Sequence, residues 1–167
     1  MTTQEYAAWV APLAARDGES RSEAVRLARS LGDADLAKRT GDTGWTVRDE
    51  LTHMASSDPD FLAMLRAILR GEKADTSVFA DIDGRNARNL EARHGRSIDE
   101  IASELEENGR SLQQLLAQLT DDDESRQPEG VPFPIRGLVD GYSQHAPYHL
   151  TQIRGALGRA ENETTVR

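Results

Sequence analysis

No cysteine occurs among the 167 residues of this chain. Its absence excludes disulfides, thiolate metal ligands and a thiol nucleophile carried by the protein itself. Aromatic residues supply only 5% of the sequence, and runs of β-branched residues are nearly missing, so there is little to build a sheet from. No apolar stretch approaches the ~18 residues that a membrane-spanning helix requires. Positive charge is also scarce: 20 Lys and Arg stand against 29 Asp and Glu, a net charge of -9. The arginines are interleaved with carboxylates and gather on no face, which argues against nucleic acid or an anionic membrane as partner. The opening segment MTTQEYAAWV carries Glu5 and no basic lead-in, so no secretory signal is expected. These absences together predict a cytoplasmic protein whose partner is a small molecule.

What is present favours helix. Ala, Leu, Arg and Glu dominate, and 37% of the residues are apolar, enough for one core if they are well patterned. The length suits a single domain, expected over residues 1–160 with a loose tail at 161–167. Four helical segments can be placed. The first spans Gln4 to Leu31, with Pro12 and Gly18 as interruptions that would kink it or delay its start. A polar connection from Gly32 to Asp42 follows. The second begins at Thr46, where Asp49 three residues on completes a capping box. Val47, Leu51 and Met54 form its apolar stripe, Ser57-Asp58-Pro59 marks a break or a fresh first turn, and periodicity resumes from Phe61 to Gly71.

Residues 71–96 are weakly patterned, with a short helical piece expected from Asn86 to Arg93. A connection this long points to a crossover running the length of a bundle, since adjacent antiparallel helices need only ~2–8 residues. Ser97 and Glu100 make a second capping box. The seam Ile98, Ile101, Leu105, Leu112, Leu115 and Leu119 follows, broken only by Asn108. After an acidic, proline-bearing loop, the fourth helix is expected from Ile135 to Arg159.

The four histidines carry the chemistry. His145 and His149 are four apart, which sets both imidazoles on one helical face about one turn apart. Leu138, Tyr142, His145, His149, Ile153 and Ala156 form one stripe, spaced 4, 3, 4, 4 and 3 apart, so the pair should point inward. There it either shares a metal or consists of core histidines bonded to carbonyls or carboxylates. The sequence between them, HAPYH, lacks the glutamate of HExxH enzymes. Pro147 should kink the helix beside the pair, the alternative being a new helix starting near it. His53 is the natural third ligand, but it lies about 100° from its own helix's apolar stripe. It is expected at the edge of the buried face, near Glu50 and Ser57, where an exposed histidine is the competing reading. His94, beside Gly95 in the charged connection, reads as solvated.

The stretch Gly44 to His53 (GWTVRDELTH) resembles the "W-T-V-x-D-x-L-x-H" segment of the DinB superfamily. His145 to Ile153 (HAPYHLTQI) resembles its closing "H-x-x-x-H-x-x-Q-I" signature, and residues 83–119 are similar to its middle. The resemblance implies an all-α, four-helix bundle with a long crossover, running up-down-down-up, and a divalent metal held by His53, His145 and His149. It further implies, for characterised members, use of a low-molecular-weight thiol such as mycothiol or bacillithiol, and it allows for a homodimer. The family's two-domain mycothiol-dependent isomerases carry a domain beyond the fourth helix, where this sequence runs only a little further, so maleylpyruvate isomerisation is not expected.

The resulting expectation is a metal-dependent transferase in which zinc or nickel presents the thiolate of a small cosubstrate to an electrophile. Asp49, Glu50 and Tyr142 are candidates for support around the ligands. A hydrolase activating water on an ester or amide, and a small-ligand-binding protein without turnover, are the alternatives.

Overall fold

The computed structural model describes residues 5–41 and 44–158. Seven α-helices and no β-strand occur among the described residues. These are α1 (Ala11–Ser30), α2 (Asp33–Leu36), α3 (Val47–Leu69), α4 (Ile82–Glu91), α5 (Ile98–Leu116), α6 (Ile135–Ser143) and α7 (His145–Ala156). Helices α1, α3, α5 and the α6–α7 pair form the bundle. The core shows their directions. One apolar cluster joins the start of α1 (Val10, Leu13) to the ends of α3 (Leu65, Ile68) and α5 (Leu112, Leu116) and to α6 (Ile135, Leu138). The other joins the end of α1 (Ala24, Ala28) to the starts of α3 (Leu51, Met54) and α5 (Ile101, Leu105) and to α7 (Leu150, Ile153). The order is therefore up-down-down-up, and the parallel α3 and α5 require the crossover that carries α4.

Both capping boxes form as the sequence indicates. Thr46 and Asp49 exchange side-chain and backbone bonds at the start of α3, and Ser97 and Glu100 do the same at α5. α1 begins at Ala11, later than expected, because Pro12 sits in its first turn, where a missing N–H leaves no gap in the ladder. Gly18 does not interrupt it. The polar connection contains the one-turn α2, which buries Leu36. α4 covers Ile82–Glu91, four residues ahead of the expected start, with its Asp81 side chain accepting from Gly84 N–H. Gln4, Asp42 and the tail at 161–167 lie outside the described residues.

Two expectations about proline are corrected. Ser57-Asp58-Pro59 does not break the second helix, since α3 runs through it. Pro59 cannot donate to the Ala55 carbonyl one turn back, and Asn108 Nδ2 of α5 supplies that bond instead, at 3.1 Å. The neighbouring Ser56 carbonyl receives Asn89 Nδ2 at 3.3 Å. The polar residue that interrupts the α5 seam is thus the partner that keeps α3 whole. Pro147, conversely, does not kink a continuous fourth helix. The helix divides at Gln144, whose N–H turns to Gly141 at 3.3 Å, and α7 starts afresh with Pro147 in its first turn. The break precedes His145, so both imidazoles keep their four-residue spacing on one helix.

Between the two apolar clusters lies a polar layer. Arg21 donates through Nε to Asp17 at 2.9 Å and through both Nη atoms to Asp58 at 2.7 Å. All three residues are buried. Buried charges persist only when so paired. Gly109 gives the arginine room, since a Cβ there would stand 2.9 Å from Arg21 Cδ.

Candidate metal centre

α3 delivers His53 and α7 delivers His145 and His149 to one point beside this layer. His53 is only 5% exposed, against the expectation of an edge position. The middle of α3 from Glu50 to Asp58 is buried all round, because α4 covers the side the other helices leave open. His145 Nε2 lies 3.0 Å from His53 Nε2 and 3.1 Å from His149 Nε2, and the three ligand atoms fall within 4.8 Å of one another. Ligands about 2.0–2.1 Å from a tetrahedral zinc are separated by about 3.3 Å, so these spacings suit a shared cation.

The proton count tests that fit. His149 Nδ1–H donates to Glu50 Oε2 at 2.6 Å, leaving its Nε2 with a bare lone pair. The single proton of the Ser57 hydroxyl goes to the His53 carbonyl at 2.9 Å. Towards His53 the Ser57 oxygen can only accept, and it stands 3.3 Å from Nδ1 and 3.4 Å from Nε2; in the Nδ1–H tautomer His53 Nε2 is bare as well. His145 Nε2 can donate to one of these neighbours but not to both. A cation satisfies all three lone pairs at once, and the donor set fits a divalent metal such as zinc.

Electrostatics keep the His53 and His145 rings neutral. Burial, followed by His149 and then Arg85, pushes His53 down to about 3. Burial, the two partner histidines, Arg21 and Arg85 hold His145 well below the usual imidazole range. Neutral rings are the ligating form.

The surrounding side chains fix the rings. Glu50, 1% exposed, also accepts from Thr40 Oγ1 at 2.6 Å, so its carboxylate is held on both oxygens. Tyr142 stacks on His145, with centroids 5.5 Å apart, and on Phe61 at 3.7 Å. Its hydroxyl donates to Asp58 Oδ1 at 2.5 Å, tying the stack to the Arg21 cluster. Burial first, then the Asp58 charge, raises the Tyr142 phenol well above its ordinary value, so it stays a donor. Trp45 stands 4.9 Å from His53 and 6.4 Å from His149, centroid to centroid. Trp45 also lines a cleft of about 660 Å³ between the start of α3 and α4.

Of the sequence candidates, His53, His145 and His149 come together, and Glu50 and Tyr142 touch them. Asp49 caps α3 through Thr46. His94 is exposed and lines the cleft, apart from the three. Sequence reasoning missed Asp17, Arg21, Asp58 and Arg85. The only available signal was that Arg21 follows Asp17 by four residues, which sets the two on one helical face.

The sequence profile of the DinB superfamily matches residues 17–153. No functionally curated protein matches the chain. Among solved structures, the fold is similar to the crystal structure of a mycothiol-dependent maleylpyruvate isomerase, with a TM-score of 0.69 at 14% identity. The match covers 89% of this chain and 61% of the isomerase, so this chain spans about three-fifths of that protein's length.

Proposed function

This chain belongs to the DinB superfamily, and from that membership we propose a divalent-metal-dependent enzyme that transfers a low-molecular-weight thiol to a small electrophile. The observation that carries the reading is the convergence of three Nε2 atoms, one of them backed by a buried carboxylate. His53, His145 and His149 would hold the cation, and three protein ligands leave positions open for a small molecule. Bound there, zinc or nickel would deprotonate a thiol at neutral pH.

The chain's own residues orient and enclose. Glu50 fixes the tautomer and tilt of His149, and the Tyr142 face sets the plane of His145. Trp45 presents a ring face to two imidazoles and a wall to the cleft, whose volume falls within the ~300–1,000 Å³ of small-ligand sites. Because the chain has no cysteine, the sulfur must arrive on a cosubstrate. The mycothiol dependence stated for the structural relative favours mycothiol or a similar thiol as that cosubstrate.

Elemental analysis of the purified protein should give about one equivalent of divalent metal. His149→Ala should lose it while circular dichroism reports an unchanged helical fold. Full metal retention by that variant would overturn the assignment. An electrophile should be consumed only when the thiol is supplied. Turnover without thiol would move the reading to a hydrolase, and ligand binding without turnover to a non-catalytic binding protein.

A further inference from the structure

α4 crosses the stripe of α3 that bears His53, Ser57 and Asp60, spaced four and three apart. Asn89 pins it there through the Ser56 carbonyl. One turn before Asn89, Arg85 turns towards α3. Its Nη1 lies 3.4 Å from Asp60 Oδ2 and its Nη2 3.5 Å from Asn86 Oδ1. Both contacts are long for a guanidinium, whose bonds to carboxylates run ~2.7–2.9 Å. Arg85 Nε is buried with no hydrogen-bond partner, and it is the one such side-chain atom among the described residues. Native proteins seldom leave a buried donor unmade, and the exceptions gather where a ligand completes the bond. Asp60 follows His53 by seven residues on this unbroken helix, two turns or about 10 Å along the same stripe, so the guanidinium that reaches Asp60 stands over the face that bears the His53 ring.

We propose that Arg85 anchors a carboxylate subsite beside the three histidines, taking a ligand carboxylate through its Nε–H and the adjoining Nη2–H. That edge of a guanidinium matches a carboxylate in a bidentate pair, and here its Nε carries no bond while its Nη2 carries only the long contact to Asn86. Three imidazoles supply no anionic ligand to a cation held between them, and Arg85 offers an unmade donor edge, so a ligand with a thiolate at one end and a carboxylate at the other would complete both. The subsite rests on the thiol-and-metal reading for the placement of the ligand's other end. The carboxylate enters on the thiol or on its electrophile.

Cobalt(II)-loaded protein, titrated with 3-mercaptopropionate and with its methyl ester, tests this through the thiolate-to-cobalt absorption band. The acid should bind about tenfold or more tighter than the ester, the effect of one charge-assisted pair. In Arg85→Gln, with cobalt content retained, that ratio should fall to about twofold or less. An equal affinity of acid and ester for the unsubstituted protein would overturn the proposal. So would a preference that survives in Arg85→Gln, which would place the carboxylate on the metal. Failure of the underlying reading looks different: neither thiol produces the band, and the subsite falls with it. Propionate separates the two sources. Arg85-dependent binding alongside 2-mercaptoethanol assigns the carboxylate to the electrophile, and competition with 3-mercaptopropionate alone assigns it to the thiol.

Discussion

Replacing Glu50 by Gln keeps the shape of the side chain and removes only its charge. In the native arrangement Oε2 accepts from His149 Nδ1 at 2.6 Å and Oε1 accepts from Thr40 Oγ1 at 2.6 Å. The amide oxygen can take over the bond from His149, which puts the amide NH₂ against Thr40. That hydroxyl can then turn its proton to the Trp45 carbonyl, 3.2 Å away, and accept from the amide. Every buried polar atom keeps a partner, so the fold should survive. What is lost is charge assistance on the imidazole, about half the strength of that hydrogen bond. Carboxylates that back a ligating histidine are worth ~10–100-fold in metal affinity, or about 1.4–2.7 kcal/mol. Zinc affinity measured by chelator competition should therefore weaken by that factor, with the thermal midpoint of the metal-free protein little changed. A zinc Kd within about threefold of the unsubstituted protein would refute the role given to Glu50.

Arg21→Leu strands Asp17 and Asp58 in the interior and should cost ~3–5 kcal/mol, seen as a melting point roughly 10 °C lower. The deficit should be smaller at about pH 5 than at about pH 8. Burial already lifts the Asp17 carboxyl, and Arg21 is the cation that opposes that lift. A drop of less than about 3 °C would contradict the network. Acid should also destabilise the metal-free protein. Unfolded imidazoles take up protons near ~6.5, whereas His53 resists until about 3, so stability present above ~6.5 is lost as pH falls through that window. Urea midpoints against pH should fall less steeply for His53→Gln. Identical slopes for the two proteins would count against the buried, neutral His53.

Local signals were legible in the sequence and long-range ones were not. Each capping box is written within four residues, and the stripe from Leu138 to Ala156 is written in its spacing, so α3, α5 and the inward face of α7 could be placed in advance. Pro59 misled because its remedy, Asn108, lies on another helix. His53 looked marginal because α3 is judged by one apolar stripe, while α4, weakly patterned and without a fully buried residue, covers a second side. Arg21, Asp17 and Asp58 went unnoticed because charge in a sequence carries no mark of burial.

The belt of charge across the middle of the bundle has a further consequence. Each hydrophobic end is closed by its own set of side chains, so repacking at one end need not propagate to the other. The histidines border that belt and draw support from polar neighbours as well as from the hydrophobic ends. Such a scaffold can exchange apolar residues at either pole over evolutionary time while its chemistry stays in register, and it can vary its chemistry with little loss of cohesion at the poles.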